Sequence, residues 1–400
     1  MIEILIFGLS ENQGGIETYL KKIWNNIDRN QFHFNFIDMT GRDKKPCFHD
    51  DLKESGASFF KITPRNESIV RNRKDIQRLF KCNHFDILHF NINSMSYVYP
   101  VKVALKNKIP VIIHSRNGGA TLRKIAILFH YFNRFQMKHA TDCNICRIAV
   151  SNLAGAWLFG NSSFSVFNNG VDVNKFVFNN KGRKIIREEL MCEHKHVIGN
   201  VGAFLPAKNH EFILKVFARL AEIDENAVLW LVGEGPEMDN IKKIVEREEL
   251  TEKVFFLGKR TDIEFVYAGM DCFLFPSLYE GFPNAVLEAE CEGLPCIISD
   301  VITKDVIVGG DTTVLSLTQG INEWVSAVKD ALEKRNYDRE KMAEYIEEQG
   351  FSTTEEIERI ERLYNSLVEN NVRPANKKRS RQDLCAKLFA DSGRPEVSRQ

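Results

Sequence analysis

The chain is 400 residues long and 44% hydrophobic, more apolar sequence than one core absorbs, so two globular domains are expected. Its 54 Lys and Arg balance 54 Asp and Glu, which gives no reason to propose nucleic acid as the main partner. No run approaches the roughly 20 apolar residues of a membrane span, so an integral membrane protein of helical type is not expected.

In chain order, the apolar run Ile2–Phe7 ends in Gly8, and a polar loop with Gly14 and Gly15 leads into an amphipathic segment from Ile16. Strand, glycine-bearing loop and helix are the opening of a doubly wound sheet. Paired glycines let backbone approach a ligand closely, but they are as readily a simple turn. The segment MIEILIFG is too short, and too uncharged at its start, for a signal peptide. Further strands are expected at 34–39, 58–62, 87–90 and 111–114, with helices over Ile69–Cys82 and residues 98–106 between them. Such alternation argues for a parallel sheet covered on both faces. His114 then stands at the carboxyl end of its strand, where ligands of open sheets collect, although a lone His is more often structural.

From Ile87 through Thr141 there is no Asp or Glu, while Lys102, Lys106, Lys108, Arg116, Arg123, Lys124, Arg134 and Lys138 supply positive charge. Residues 122–137 interleave those cations with Ile125, Ile127, Leu128, Phe129, Tyr131, Phe132 and Phe135. Two readings stay open. An anionic membrane surface is a candidate partner of residues 116–138, or the helix is packed in the core with its basic side lining a cleft. A last strand of this half follows at Ile148, a turn at 167–172, and the polar segment 179–187 is the expected hinge.

A second series begins with a strand at 197–202, ending in Gly202, then a loop carrying Lys208 and Asn209, a helix at 210–223, and strands at 228–232 and 254–257. Lys208 places an ammonium over the carboxyl end of that sheet, where a diphosphate would need a cation; a solvated surface lysine is the plain alternative. The apolar run 271–275 reads as a buried strand. Gly281, Phe282, Pro283 and Asn284 lead into AVLEAECE, a helix with Pro283 at its first position. Unpartnered backbone N–H groups and a positive dipole at such a start suit an anion. Glu280 before the helix and Glu288 inside it would repel phosphate and instead accept from hydroxyls. Phosphate donors beside hydroxyl acceptors describe a nucleotide-sugar site, unless Glu288 is merely solvated and the loop an ordinary turn. A strand-like 313–317 and helices at 321–334, 339–349 and from Ser352 to about residue 369 complete the periodic sequence, and the basic tail 370–400 is expected to be disordered.

Glu280 and Glu288, with seven residues between them in EGFPNAVLEA, resemble the Glu-x7-Glu signature of the retaining glycosyltransferases of group 1. The stretches PSLYEGFPNAVLEAECEGLPCIISD, FLGKRTDI, LVGEGP and AVSNLAGAWLFG are nearest to the exopolysaccharide and capsular-polysaccharide branch. The resemblance covers residues 1 to about 368. It implies an α/β fold of two facing doubly wound Rossmann-like lobes (GT-B) with a cleft between them and a C-terminal crossover helix. The domains would be 1–175 on the acceptor side, 176–352 binding the nucleotide sugar, and a helix 353–369 packing back on the first. It further implies Glu280, His114 and Lys208 as catalytic side chains. Gly14, Gly15, Gly202, Lys208, Asn209, Gly281, Phe282, Pro283, Asn284 and Glu288 would form the donor site, with Glu288 on the ribose.

The implied reaction transfers a hexose-type sugar, with retention and without a metal or other cofactor, from a nucleotide sugar, expected to be a UDP-sugar, to a saccharide or lipid-linked saccharide acceptor. One position departs from the pattern. The family's Gly-Arg-(four residues)-Lys reads here Gly202-Ala203 through to Lys208, so the arginine that would share the diphosphate is missing. A catalytically weakened or non-catalytic partner subunit is therefore the alternative. The nine cysteines carry no framework spacing, and Cys143 with Cys146 lacks the second pair a zinc site needs, so free thiols in a reducing cytoplasm are expected. The chain would be cytoplasmic, with peripheral attachment to the inner membrane face open.

Overall fold

In the computed structural model, residues 1–119, 123–139, 145–333, 338–372, 382–383 and 386–387 are described. The chain divides into two compact units, residues 1–169 with 354–400, and residues 170–353.

In the first unit the apolar runs become a seven-stranded parallel sheet: β1 (Ile2–Phe7), β2 (Phe32–Asp38), β3 (Ser58–Lys61), β4 (Ile87–Ile92), β5 (Val111–Ser115), β6 (Ile145–Ala149) and β7 (Ser165–Val166), in the order β3-β2-β1-β4-β5-β6-β7. All six residues of β4 are buried, the mark of a strand covered on both faces. On one face of the sheet Trp24, Phe32, Phe34 and Phe36 meet Ile360, Leu363, Tyr364 and Leu367 of the helix Thr353–Val372. That helix follows the second unit in sequence yet completes the core of the first.

The second unit holds six parallel strands: β8 (His196–Val201), β9 (Ala227–Val232), β10 (Val254–Gly258), β11 (Cys272–Phe275), β12 (Cys296–Ser299) and β13 (Thr312–Leu315), in the order β10-β9-β8-β11-β12-β13. Both sheets are thus Rossmann-like, and the strand order of the second reverses between β8 and β11, which pair directly through Phe273 and Gly199. At such a reversal the loops leaving adjacent strands turn to opposite faces and open a crevice at the strand ends. Here those loops are 202–209 and 276–283.

The segment 179–187 is not a linker. It lies in the helix Asn180–Glu189, capped by the Asn179 side chain, which accepts from the Gly182 N–H at 3.0 Å. The helix is strongly amphipathic, and its charge is structural. Arg183 and Arg187 each hold one oxygen of Asp271 at 2.5 Å, and the backbone N–H of Val197 donates to the same carboxylate at 2.8 Å. Asp271 titrates below its ordinary range: the two guanidinium groups outweigh the burial that opposes them. Of the cysteines, Cys47, Cys82, Cys192, Cys272, Cys291 and Cys296 are free, whereas Cys146 is disulfide-bonded, which departs from the expectation of free thiols. Among the described residues no helix is long and apolar enough to cross a membrane. Cys143, Leu122 and most of the basic tail lie outside the described residues.

Candidate functional site

The site of the second unit is built where β8 and β11 end. After β8 the chain passes Gly202 and Ala203, then makes a single tight turn over Pro206–Lys208. Asn209 follows in the left-handed region (φ 57°, ψ 42°), which asparagine tolerates better than most residues. Its side-chain amide donates to the Pro276 carbonyl at 3.0 Å, and the Leu278 N–H donates to the Ala207 carbonyl at 2.8 Å. The two loops are therefore stitched together, although they lie far apart in sequence. A side chain at Gly202 would come within 3.1 Å of the Lys208 Cε, so the glycine leaves room for the lysine to lie across the strand end. Gly233, at φ +133°, makes a similar allowance: a Cβ there would stand 2.2 Å from the Gly202 carbonyl oxygen.

This stitching brings Lys208 and Glu280 together. The ammonium lies 2.7 Å from the Glu280 Oε1, with both side chains 17% exposed, and 4.6 Å above the centre of the Phe275 ring. A carboxylate and an aromatic face both attract the ammonium and hold it in place. The residues Gly281, Phe282 and Pro283 are buried, and the helix Asn284–Cys291 begins at Asn284, so Pro283 is the residue before the helix rather than its first. Glu288 lies on that helix, and its Oε2 accepts from the Tyr267 hydroxyl at 2.9 Å. Burial first, and then the neighbouring Glu288 charge, push the Tyr267 phenol well above its ordinary range, so it is a permanent donor. Tyr267 was invisible to spacing arguments, since its partner stands a whole strand and loop further on. His210, next on the chain, stacks on Phe204 with ring centres 4.2 Å apart. Its pKa falls to about 4 through burial and then Lys208, so it is neutral.

The other expected residues belong to the first unit. His114 ends β5 and is fully buried. An Arg116 guanidinium N–H lies 3.2 Å from the His114 Nε2, the His114 Nδ1 lies 3.2 Å from the His89 Nε2, and the His89 Nδ1 lies 2.7 Å from the Tyr364 hydroxyl. Arginine has only donors, so the chain runs one way: His114 accepts from Arg116 at Nε2 and donates at Nδ1 to His89, which donates to Tyr364. Burial, then Arg116, lowers the His89 pKa to about 3, and the same causes with His89 added hold His114 well below its ordinary value. Both rings are neutral. Arg116 in turn lies 3.6 Å over the Tyr19 ring. Gly14 is the residue before the helix Gly15–Asn26, and a side chain at Gly15 would meet nothing within 4 Å, so Gly15 is not required by crowding. Among the described residues no group of three or more His, Cys, Asp or Glu side chains is placed to hold a metal ion.

Residues 182–349 match the family model "Glycosyl transferases group 1". The "Putative glycosyltransferase EpsF" of Bacillus subtilis (strain 168) is 29% identical over 380 residues, covering 90% of this chain and 95% of that protein. The "UDP-Gal:alpha-D-GlcNAc-diphosphoundecaprenol alpha-1,3-galactosyltransferase" of Escherichia coli is 27% identical over 80% of this chain and 87% of its own length. Among solved structures, Anabaena Alr3699/HepE in complex with UDP and glucose superposes with a TM-score of 0.73 at 18% identity, covering 92% of this chain and all of that one. At that identity the likeness establishes the fold.

Proposed function

We propose that this chain, a glycosyltransferase whose residues 182–349 belong to the group 1 family, moves a hexose-type sugar from a UDP-sugar to a lipid-linked saccharide, with retention, in exopolysaccharide or capsule biosynthesis. The observation that carries the reading is the Lys208–Glu280 pair at the reversal of the second sheet, beside a helix start and the Tyr267-held Glu288. A diphosphate reaching this point takes Lys208 and the backbone N–H groups of Gly281, Phe282 and Asn284 as counter-charge, which serves in place of a metal. Glu280 is released to accept from the sugar hydroxyls, and Glu288 from the ribose. The bond from the anomeric carbon to the diphosphate oxygen breaks while the acceptor oxygen bonds to the same face of that carbon, and the acceptor proton passes to the departing diphosphate.

The names of the relatives support donor and acceptor. The Escherichia coli protein is named for UDP-Gal and a diphosphoundecaprenol acceptor, and the Anabaena structure holds UDP and glucose. A catalytically weakened enzyme or non-catalytic partner subunit is the second reading, favoured by Ala203, which is exposed where the pattern has an arginine. Purified protein incubated with UDP-hexoses and a diphosphopolyprenyl saccharide decides between them. Transfer, with slow donor hydrolysis in the absence of acceptor, is expected; UDP binding with neither transfer nor hydrolysis establishes the second reading.

A further inference from the structure

The helix Lys124–His139 of the first unit is inside out. Two polar residues in its middle face the protein: His130 and Asn133 are buried, the His130 Nδ1 accepts from the Met95 N–H at 3.1 Å, and the Asn133 amide donates to the Met95 carbonyl at 2.8 Å. Arg134 donates to the Trp157 carbonyl at 3.2 Å. Its apolar residues face away: Ile125 is 65% exposed, Leu128 70%, Phe129 51% and Phe132 55%. Those four stand at i, i+3, i+4 and i+7, which is one face of a helix. Soluble proteins rarely expose contiguous apolar surface of this kind without a partner.

We infer that this face docks on an anionic lipid bilayer, lying in the interface with its large apolar side chains among the acyl chains. Charge picks the occupant. Arg123 just before the helix and Lys124 and Lys138 on it are exposed, and the sequence from Ile87 through Thr141 contains no carboxylate to oppose them. A second copy of this chain is disfavoured, because a two-fold interface sets a patch against itself and would bring the two sets of cations together. A bilayer of anionic lipid answers both halves of the pattern: hydrocarbon for the aromatic and aliphatic residues, phosphate for the cations. The inference does not depend on the transferase reading, since it concerns adsorption and not turnover.

The test is sedimentation of the full chain with vesicles of phosphatidylcholine alone or with 30% phosphatidylglycerol. The parent should pellet with the mixed vesicles and release progressively as salt is raised, because each exposed cation near an anionic surface contributes about fivefold to partition and salt screens it. Changing Ile125, Leu128, Phe129 and Phe132 to Gln should cut partition at least about tenfold at low salt. Changing Arg123, Lys124 and Lys138 to Gln should abolish the preference for phosphatidylglycerol. All these positions are exposed, so melting temperatures should match the parent's and confirm intact folding. Absence of vesicle binding overturns the inference. So does binding untouched by the apolar variant, or a parent dimer that the apolar variant dissociates in the absence of lipid.

Discussion

In the proposed donor site Glu280 competes with the nucleotide for Lys208, so neutralising it should not cost UDP affinity. The Lys208 ammonium is held 2.7 Å from the Glu280 carboxylate, and each side chain retains 17% exposure. A pair at that depth is worth no more than about 1 kcal/mol net, and a diphosphate must displace it before using the lysine. Glu280→Gln removes the competing charge, and UDP should bind unchanged or up to about fivefold tighter, while transfer falls because the sugar hydroxyls lose a charged acceptor. Lys208→Ala removes a charge-assisted contact of about 1.5–3 kcal/mol, so UDP should weaken by about 10- to 150-fold. Calorimetric titration of UDP into parent and both variants provides the comparison. If Glu280→Gln loses affinity as Lys208→Ala does, the carboxylate orients the lysine for the diphosphate instead of contending with it, and the assignment of separate tasks fails.

Ala203→Arg should raise turnover at least about tenfold, equivalent to about 1.4 kcal/mol of barrier, since a guanidinium on the Lys208 loop would hold the leaving diphosphate as its charge grows; a parent already as fast as the variant refutes this in a steady-state assay. Glu288→Gln should weaken UDP, and Tyr267→Phe should do so by about fivefold through loss of one hydrogen bond; UDP titrations that leave either unchanged would remove Glu288 from the ribose. The buried rings of the first unit predict acid sensitivity. Because the His89 pKa is depressed to about 3, the unfolded chain takes up a proton below about 6.5 that the fold refuses, so stability is lost as pH falls through that window. His114 acts with the same sign, and His89→Gln should flatten the slope of unfolding free energy by about 1.4 kcal/mol per pH unit, read from urea midpoints between pH 6 and 4.

How much was legible in the sequence depended on whether a signal was local. The runs IEILIF and ILHFNI announce buried strands because both faces of a parallel sheet are covered, so apolar residues dominate and only Glu3, His89 and Asn91 interrupt them. β12 was quoted only inside a motif, and β7 was not expected at all, because two residues are too short to show a period. The misreading of 179–187 has a physical cause. Lysine and arginine there look solvated, yet Arg187 is 7% exposed and spends its donors on Asp271 and on the carbonyls of Gly269, Cys192, Glu193 and Lys195. At the site, residue types were readable and partners were not. That Lys208 would meet Glu280, or Tyr267 hold Glu288, follows only from the adjacency of β8 with β11 and from the helix packed behind them. Likewise the cations and aromatics of 122–137 were plain, but which face met solvent was fixed by Met95 on another segment.

The helix Thr353–Val372 also sets an order in time. Ile360, Leu363, Tyr364 and Leu367 fill the core of a unit whose sheet is otherwise encoded by residue 169. A ribosome adding roughly 5–20 residues per second needs roughly 10–40 s to travel from residue 169 to residue 367, and the whole second unit emerges during that interval. Throughout it the nascent first unit carries an unfilled apolar trough beside Phe32 and Phe34. Its folding is therefore gated by translation of its neighbour, and a chain ending near residue 350 would contain every strand of both sheets while leaving the first one without its final layer.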